Sequence, residues 1–176
     1  MDPVATQYVD RDGAAVAYQV VGDGPADVVH FYECFQHLDL QLTDPDINYN
    51  VERMARFSRS VYFQRRGFGL SDHVAYVPTI EQQADDVLAI MDAVGMRRAA
   101  LVGWVGTCGP LALVAARSPD RVNSLSFMEP RCDCDRDECL GHQEWRAAAS
   151  ASDRTLLGES SPQDAAGLPL GGELVG

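Results

Sequence analysis

Two kinds of hydrophobic pattern alternate along the first 130 residues of the chain. Short runs of small, β-branched or aromatic residues predict strands, and the runs without polar alternation are typical of strands buried on both faces. Apolar residues at helical spacing predict helices between them. The strands are predicted at residues 6–9, 14–21, 27–32, 60–63, 99–103 and 122–128, and the helices at 51–57, 80–94 and 110–117. This alternation predicts an α/β fold, a mostly parallel sheet with helices on both faces.

Turn and cap signals support these boundaries. Asp12-Gly13 separates the first two strands and predicts a hairpin at the start of the sheet. Thr79 followed by Gln82 forms a capping-box sequence before the clearest helix, and Gly95 is placed to end that helix.

The pattern disappears after Pro130. Residues 131–176 contain no Ile, Phe or Tyr and are rich in Ala, Ser, Gly and Asp. Such a segment buries too little apolar surface to offset its ordering entropy. We therefore predict a core over residues 1–130 and a low-complexity, disordered tail over 131–176.

Composition narrows the possible partners. The formal net charge is −12, with 26 acidic and 14 basic residues, which argues against nucleic acid and anionic membrane as partners. No window approaches the 18 or so apolar residues of a membrane span, and residues 1–10 lack the apolar segment of a secretory signal. We expect a cytoplasmic protein with reduced cysteines. No phosphate-binding glycine loop occurs, so no cofactor is expected.

Several stretches together resemble the α/β-hydrolase family, and in particular the hydrolase-type domains that some bacteria attach to adenylate cyclases. The resemblance implies a truncated α/β-hydrolase-like sandwich and covers roughly residues 8–129, with nothing similar after 130. The matching segments are residues 16–25, 37–41, 65–72, 85–87, 91–95 and 119–122.

One of these segments, Arg-Gly-Phe-Gly-Leu-Ser at residues 66–71, has a structural use of its own. Its glycines allow a tight turn after a strand, and its serine can accept hydrogen bonds from neighbouring backbone N–H groups. The family usually has Asp where Gln64 stands. The resemblance therefore implies that the loop's arginine lacks its usual carboxylate, which predicts a less stable loop.

The resemblance also locates the turn that carries the nucleophile in this family, a G-x-S-x-G sequence between the central strand and the next helix. Counting forward from Gly103 places the nucleophile at Val105, whereas counting backward from Gly109 places it at Gly106. Neither is a serine, and the one-residue disagreement indicates an insertion. Thr107 and Cys108 remain as candidate nucleophiles, with Cys108 favoured by its place near a helix N-terminus. A buried packing role for Cys108 is the alternative.

The segment expected to supply an oxyanion-hole amide is equally altered. The resemblance places it after the third strand, at Tyr32, Glu33 and Cys34, where the family has a glycine-containing loop. The carboxylate of Glu33 would have the wrong sign beside a developing anion.

The end of the chain offers a metal-binding alternative. Four candidate ligands occur within eleven residues, which is the number that a tetrahedral zinc site needs. The spacing of the first two cysteines is too tight for a usual zinc knuckle, so reduced thiols in a tail are the competing interpretation, and His142 is more simply a solvated histidine than the family's final catalytic histidine. The four residues are Cys132, Cys134, Cys139 and His142.

Three functional hypotheses follow. The first is a degenerate or truncated α/β-hydrolase-like protein without esterase activity. The second is a carboxylic-ester hydrolase that uses Cys108. The third is a non-enzymatic interaction module, in which strand 122–128 forms an apolar sheet edge that pairs with a second copy or another protein.

Overall fold

The computed structural model describes residues 4–32 and 37–128, which form one six-stranded sheet and the helices that cover it. The strands are β1 (Gln7–Arg11), β2 (Ala14–Val21), β3 (Ala26–Phe31), β4 (Ser58–Phe63), β5 (Ala99–Trp104) and β6 (Val122–Met128). The helices are α1 (Leu38–Gln41), α2 (Pro45–Ala55), α3 (Ile80–Ala93) and α4 (Cys108–Arg117). The predicted α/β class is confirmed.

The sheet order is β1-β2-β4-β3-β5-β6. β1 and β2 form the predicted antiparallel hairpin, closed by Asp12 and Gly13 with φ of 58° and 80°, as a two-residue hairpin turn of this hand requires. β2 pairs antiparallel with β4, whereas β4, β3, β5 and β6 are mutually parallel. The strand order reverses between β3 and β5, so the carboxyl ends of these two strands flank the crevice where ligands bind in open α/β sheets.

The two faces of the sheet carry different cores. On one face, α3 and α4 pack against side chains such as Phe31, Val61 and Leu101. On the other face, α1 and α2 cover a smaller cluster that includes Val21, Val51 and Tyr62. Helices therefore cover both faces, as the sequence pattern predicted.

Helix α3 begins and ends where its capping signals predicted. The side chains of Thr79 and Gln82 each accept from the other's backbone N–H, at 3.2 and 3.0 Å. Gly95, with φ of 69°, follows the helix, and the backbone N–H of Met96 donates to the carbonyl of Met91 at 2.8 Å.

Helix α2 begins six residues before the prediction. Asp44 accepts from the backbone N–H groups of Asp46 and Ile47, and Pro45 occupies the first turn, where its missing N–H costs nothing. These two signals stand in the sequence, but polar residues at the start of the helix obscure its apolar stripe.

The arginine of the loop that follows β4 has a carboxylate partner that the sequence analysis did not identify. Arg66 lies buried and donates to Asp86 of α3 through Nε at 2.9 Å and Nη2 at 2.6 Å, so its carboxylate partner comes from a distant position in the chain. The side chain of Gln64 lies beneath Gly69 and accepts from the backbone N–H of Leu70 at 3.0 Å. The expectation that the arginine lacks a carboxylate was therefore wrong.

Strand β6 is the outer strand of the described sheet, but it is not the apolar edge that was predicted. Val122, Leu125 and Phe127 pack against the main core, whereas Asn123, Ser124 and Ser126 are exposed. Met128 is exposed as well, so the exposed side chains of β6 are three polar residues and one methionine, none of them charged. The predicted tail at 131–176 lies outside the described residues.

Candidate active site

The turn between β5 and α4 has the sharp shape of a nucleophile-bearing turn. A single 3₁₀ turn, Val105–Thr107, joins the two elements, and Val105 has φ of 55°. This left-handed conformation is a genuine outlier for a β-branched residue. Gly106, the other candidate position, has no positive φ. The left-handed residue of the turn is therefore Val105, the position that the forward count from Gly103 reaches.

Gly103 allows α4 to lie close to the end of β5. A Cβ atom at this position would lie 2.8 Å from Cδ1 of Leu111 and 3.3 Å from Oγ1 of Thr107. A side chain here would push α4 away from β5, so the glycine maintains the turn without any role in chemistry.

Thr107 has a structural role that occupies its hydroxyl. The side chain is 1% exposed, and Oγ1 donates to the carbonyl of Phe31 at 2.6 Å while it accepts from the backbone N–H of Trp104 at 2.9 Å. One hydroxyl thus ties the end of β3 to the end of β5. Its partners are backbone groups, so no general base activates it.

Cys108, the favoured candidate nucleophile, is the first residue of α4 and is buried, with 5% of its surface exposed. The helix N-terminus favours a thiolate electrostatically, whereas burial restricts the access of an ester to the sulfur. The left-handed residue of the turn lies three positions earlier, so Cys108 is not the side chain that the turn projects.

Tyr32 is the one member of the predicted oxyanion segment that the structure describes; Glu33 and Cys34 lie outside the described residues. Tyr32 follows β3 directly, and its ring meets the ring of Trp104 edge to face, with 6.0 Å between centroids. Its hydroxyl lies 3.2 Å from Nδ1 of His30. Tyr32 therefore links the crevice to a buried polar network.

The directions of the hydrogen bonds in this network follow from its far end. The Oγ atom of Ser58 is 2.7 Å from the carbonyl of Met54, a group that only accepts, so Ser58 donates there. Ser60, 2.9 Å away, consequently donates to Ser58. Ser60 also hydrogen-bonds the side chain of Tyr62. Because the proton of Ser60 is directed to Ser58, Nε2 of His30, 3.3 Å from Ser60, is a donor, and Nδ1 of the neutral ring accepts from Tyr32. The chain of bonds fixes one tautomer of His30.

The same surroundings keep His30 neutral. The ring is 3% exposed and stacks on Tyr62 with 4.3 Å between centroids and an angle of 6°. Burial lowers the pKa of His30 to about 4 and raises the pKa of Tyr32 above its usual value. Both ring nitrogens are occupied at neutral pH, which leaves His30 without a free nitrogen to act as a base at the turn.

Sequence reasoning missed this network, although its signal was present. Ser58, Ser60 and Tyr62 alternate along β4 and so point to one face of the sheet. His30 lies opposite Tyr62 in the parallel pairing of β3 with β4. Polar residues at alternate positions of two buried strands indicate a hydrogen-bonded layer.

The predicted metal ligands, Cys132, Cys134, Cys139 and His142, lie outside the described residues. Within residues 4–32 and 37–128, no three His, Cys, Asp or Glu side chains are grouped closely enough to hold a metal ion. None of the helices described combines the length and apolarity that a bilayer crossing requires.

Solved structures identify the architecture. A bacterial membrane phospholipase A described as a virulence factor is 24% identical, with a TM-score of 0.61 over 73% of this chain and 40% of that one. The haloalkane dehalogenase DatA from Agrobacterium tumefaciens is 23% identical (TM-score 0.59, 73% of this chain and 42% of that one). The chain has the α/β-hydrolase fold.

A third similar structure with this fold is the carboxylesterase CesB from Bacillus subtilis, 16% identical with a TM-score of 0.59 over 72% of this chain and 43% of that one. The chain thus spans about two fifths of the length of these three proteins. No protein-family model matches the sequence, and no curated protein is significantly similar to it.

Proposed function

We propose that this chain is a degenerate α/β-hydrolase-fold protein that does not hydrolyse esters. The observation that carries the proposal is Val105, which occupies the left-handed position of the turn after β5. An isopropyl group cannot attack a carbonyl carbon, whereas acyl transfer on this fold begins with a nucleophile at that place.

The neighbouring side chains support the same conclusion. The hydroxyl of Thr107 is bonded to the backbone of two strands, and Cys108 is buried. His30 of β3 has both ring nitrogens occupied. In the sequence, Glu33 replaces the glycine-containing stretch expected at the oxyanion position.

The proposal includes a finer origin for the chain. Segments 65–72 and 91–95 resemble the hydrolase-type domains that some bacteria attach to adenylate cyclases. We infer that the chain derives from a domain of that kind, with residues 1–130 as its core. No cyclase activity follows, because no part of the chain resembles a cyclase catalytic domain.

A second candidate function is a thiol esterase that uses Cys108. Its favourable feature is the place of Cys108 at the N-terminus of the ten-residue helix α4, one turn after the bend. The helix dipole stabilises a thiolate there. This function requires an opening motion that exposes the sulfur and a base that reaches it.

Turnover of p-nitrophenyl butyrate distinguishes the two functions. We expect the full chain and Cys108→Ala to release nitrophenol at the same rate, and Val105→Ser to gain nothing, because a serine at the turn still needs a base. Cys132→Ala is the matched control for nonspecific reaction by other thiols. Turnover that Cys108→Ala abolishes and Cys132→Ala preserves would establish the thiol esterase instead.

A further inference from the structure

The two edges of the sheet differ in how they are protected. β1 is five residues long and carries Asp10 and Arg11. The side chain of Arg11 is drawn back to Asp86, with Nε 3.2 Å from Oδ1. Short length and charged residues are two of the features with which proteins prevent pairing at an edge strand.

β6 has neither feature. It is seven residues long, with the sequence Val-Asn-Ser-Leu-Ser-Phe-Met, and contains no charged residue and no proline. Its inner side pairs with β5 from Ala99↔Val122 to Trp104↔Met128, and none of the strands described pairs with its outer side. Its outward backbone groups therefore form a template for another strand.

Charge also favours this edge for self-association. Two copies of a chain with a net charge of −12 repel one another. Neither β5 nor β6 contains a charged residue, so approach along this side of the sheet avoids direct contact between like charges. The β1 edge, with its Asp and Arg residues, offers no such neutral strip.

We propose that two copies of this chain pair through β6, antiparallel and centred on Leu125. A twofold axis at Leu125 uses all seven residues of the strand and places Ser124 opposite Ser126 of the second copy, on the exposed face. Leu125 then meets its own counterpart on the face where it packs against the core. Cross-strand serine pairs and leucine pairs each favour such pairing.

The register is tested by charge pairs placed on the exposed serines. Like charges directly opposite one another destabilise strand pairing and opposite charges stabilise it. In the register centred on Leu125, Ser124→Lys with Ser126→Lys places lysine opposite lysine across the axis twice. Ser124→Lys with Ser126→Glu places lysine opposite glutamate twice. The two variants carry substitutions at the same positions, which are exposed within the described structure.

Sedimentation equilibrium of the full chain measures the outcome across a wide range of concentration. We expect a mass of two chains for the unaltered protein and for Ser124→Lys with Ser126→Glu, and a mass of one chain for Ser124→Lys with Ser126→Lys. Gln7→Lys, on the exposed part of β1, is the matched control and retains the dimer. Circular dichroism checks that each variant is folded.

Three results would overturn the proposal. A monomeric unaltered chain would do so, including the case in which residues 129–176 occupy the edge. Dimers that survive the double lysine change would place the interface elsewhere, and loss of the dimer in the lysine–glutamate variant would exclude the register. The test is independent of ester turnover, so the pairing and the lack of hydrolysis can fail separately.

Discussion

The loop after β4 and the turn after β5 are two glycine-containing bends that follow parallel strands of one sheet. They differ in the side chains that hold them. The loop keeps its glycines, its serine and a fully bonded arginine. The turn has its left-handed residue at Val105 and is held by the hydroxyl of Thr107. The two bends therefore share a tight backbone but differ in the side chains that hold them.

Each bend also joins two neighbouring strands through the hydrogen bonds of one side chain. Ser71 of the loop donates to the carbonyl of Gln64 and accepts from the backbone N–H of Ala17, so the loop fastens β4 to β2. Thr107 of the turn fastens β3 to β5 in the same way. Both bends stabilise the sheet, whereas the side chain at position 105 supports no other element by a hydrogen bond in the described structure.

The largest effect is expected from the ion pair that anchors the loop. Asp86→Ala leaves the guanidinium of Arg66 buried without its main partner, and such a loss costs about 3–5 kcal/mol of stability. The free energy of unfolding in urea measures it. A guanidinium group is not deprotonated in proteins, so Arg66 keeps its charge when Asp86 is removed.

Asp92→Ala is the matched control for that change. Its Oδ1 atom lies 2.6 Å from Nη2 of Arg121, the same distance as in the Arg66–Asp86 pair, but the Asp92 side chain is 67% exposed, against 1% for Asp86. Exposed pairs contribute under about 1 kcal/mol. Equal losses from the two alanine variants would contradict the view that burial makes the loop's ion pair essential.

The fold was largely predictable from local signals. The bounds of β2 and β6 match the predicted runs, and the end of α3 differs from its prediction by one residue. These elements are specified by hydrophobic periodicity, capping boxes and C-terminal glycines, which are all local in the sequence. The start of α2 was missed because Asp44 and Pro45 precede residues without a clear apolar stripe.

The candidate site was less predictable because its contacts are distant in sequence. The spacing left Val105 and Gly106 as equal candidates, and it could not show that Val105 is the left-handed residue of the turn. The bond from Thr107 to Phe31 joins residues 76 positions apart. Arg66 and Asp86 are 20 positions apart, so the residues around Gln64 could not indicate the carboxylate partner of the arginine.

The second effect concerns the neutral network beside the turn. His30 takes up a proton less readily when folded, so the stability it provides is complete above pH 6.5 and is lost as the pH falls from 6.5 to about 4. The free energy of unfolding falls by at most about 3 kcal/mol as a result. His30→Gln should remove this part of the pH dependence of unfolding, whereas the loop's ion pair is unaffected by it.

His73→Gln, which changes an exposed histidine, is the control and should retain the pH dependence of the unaltered chain. If His30→Gln and the unaltered chain lose stability in parallel between pH 6.5 and 4, the buried network does not resist protonation as its geometry implies.

The smallest effect tests the turn itself. Val105→Gly removes the clash that a β-branched side chain suffers at a φ of 55°, which is about 1–3 kcal/mol of strain. The looser unfolded chain and the lost contact of a half-buried side chain offset part of this gain, so we expect a net stabilisation of the protein below about 1 kcal/mol. Val77→Gly, at an exposed loop position without a positive φ, should instead destabilise it by about 0.5–1 kcal/mol by loosening the unfolded chain. Opposite signs of the two changes in thermal unfolding would mean that the turn holds Val105 under backbone strain. Equal losses of stability in the two glycine variants would mean that the packing of Val105 offsets the cost of its left-handed conformation. The loop and the turn would then differ only in their side chains and not in backbone strain.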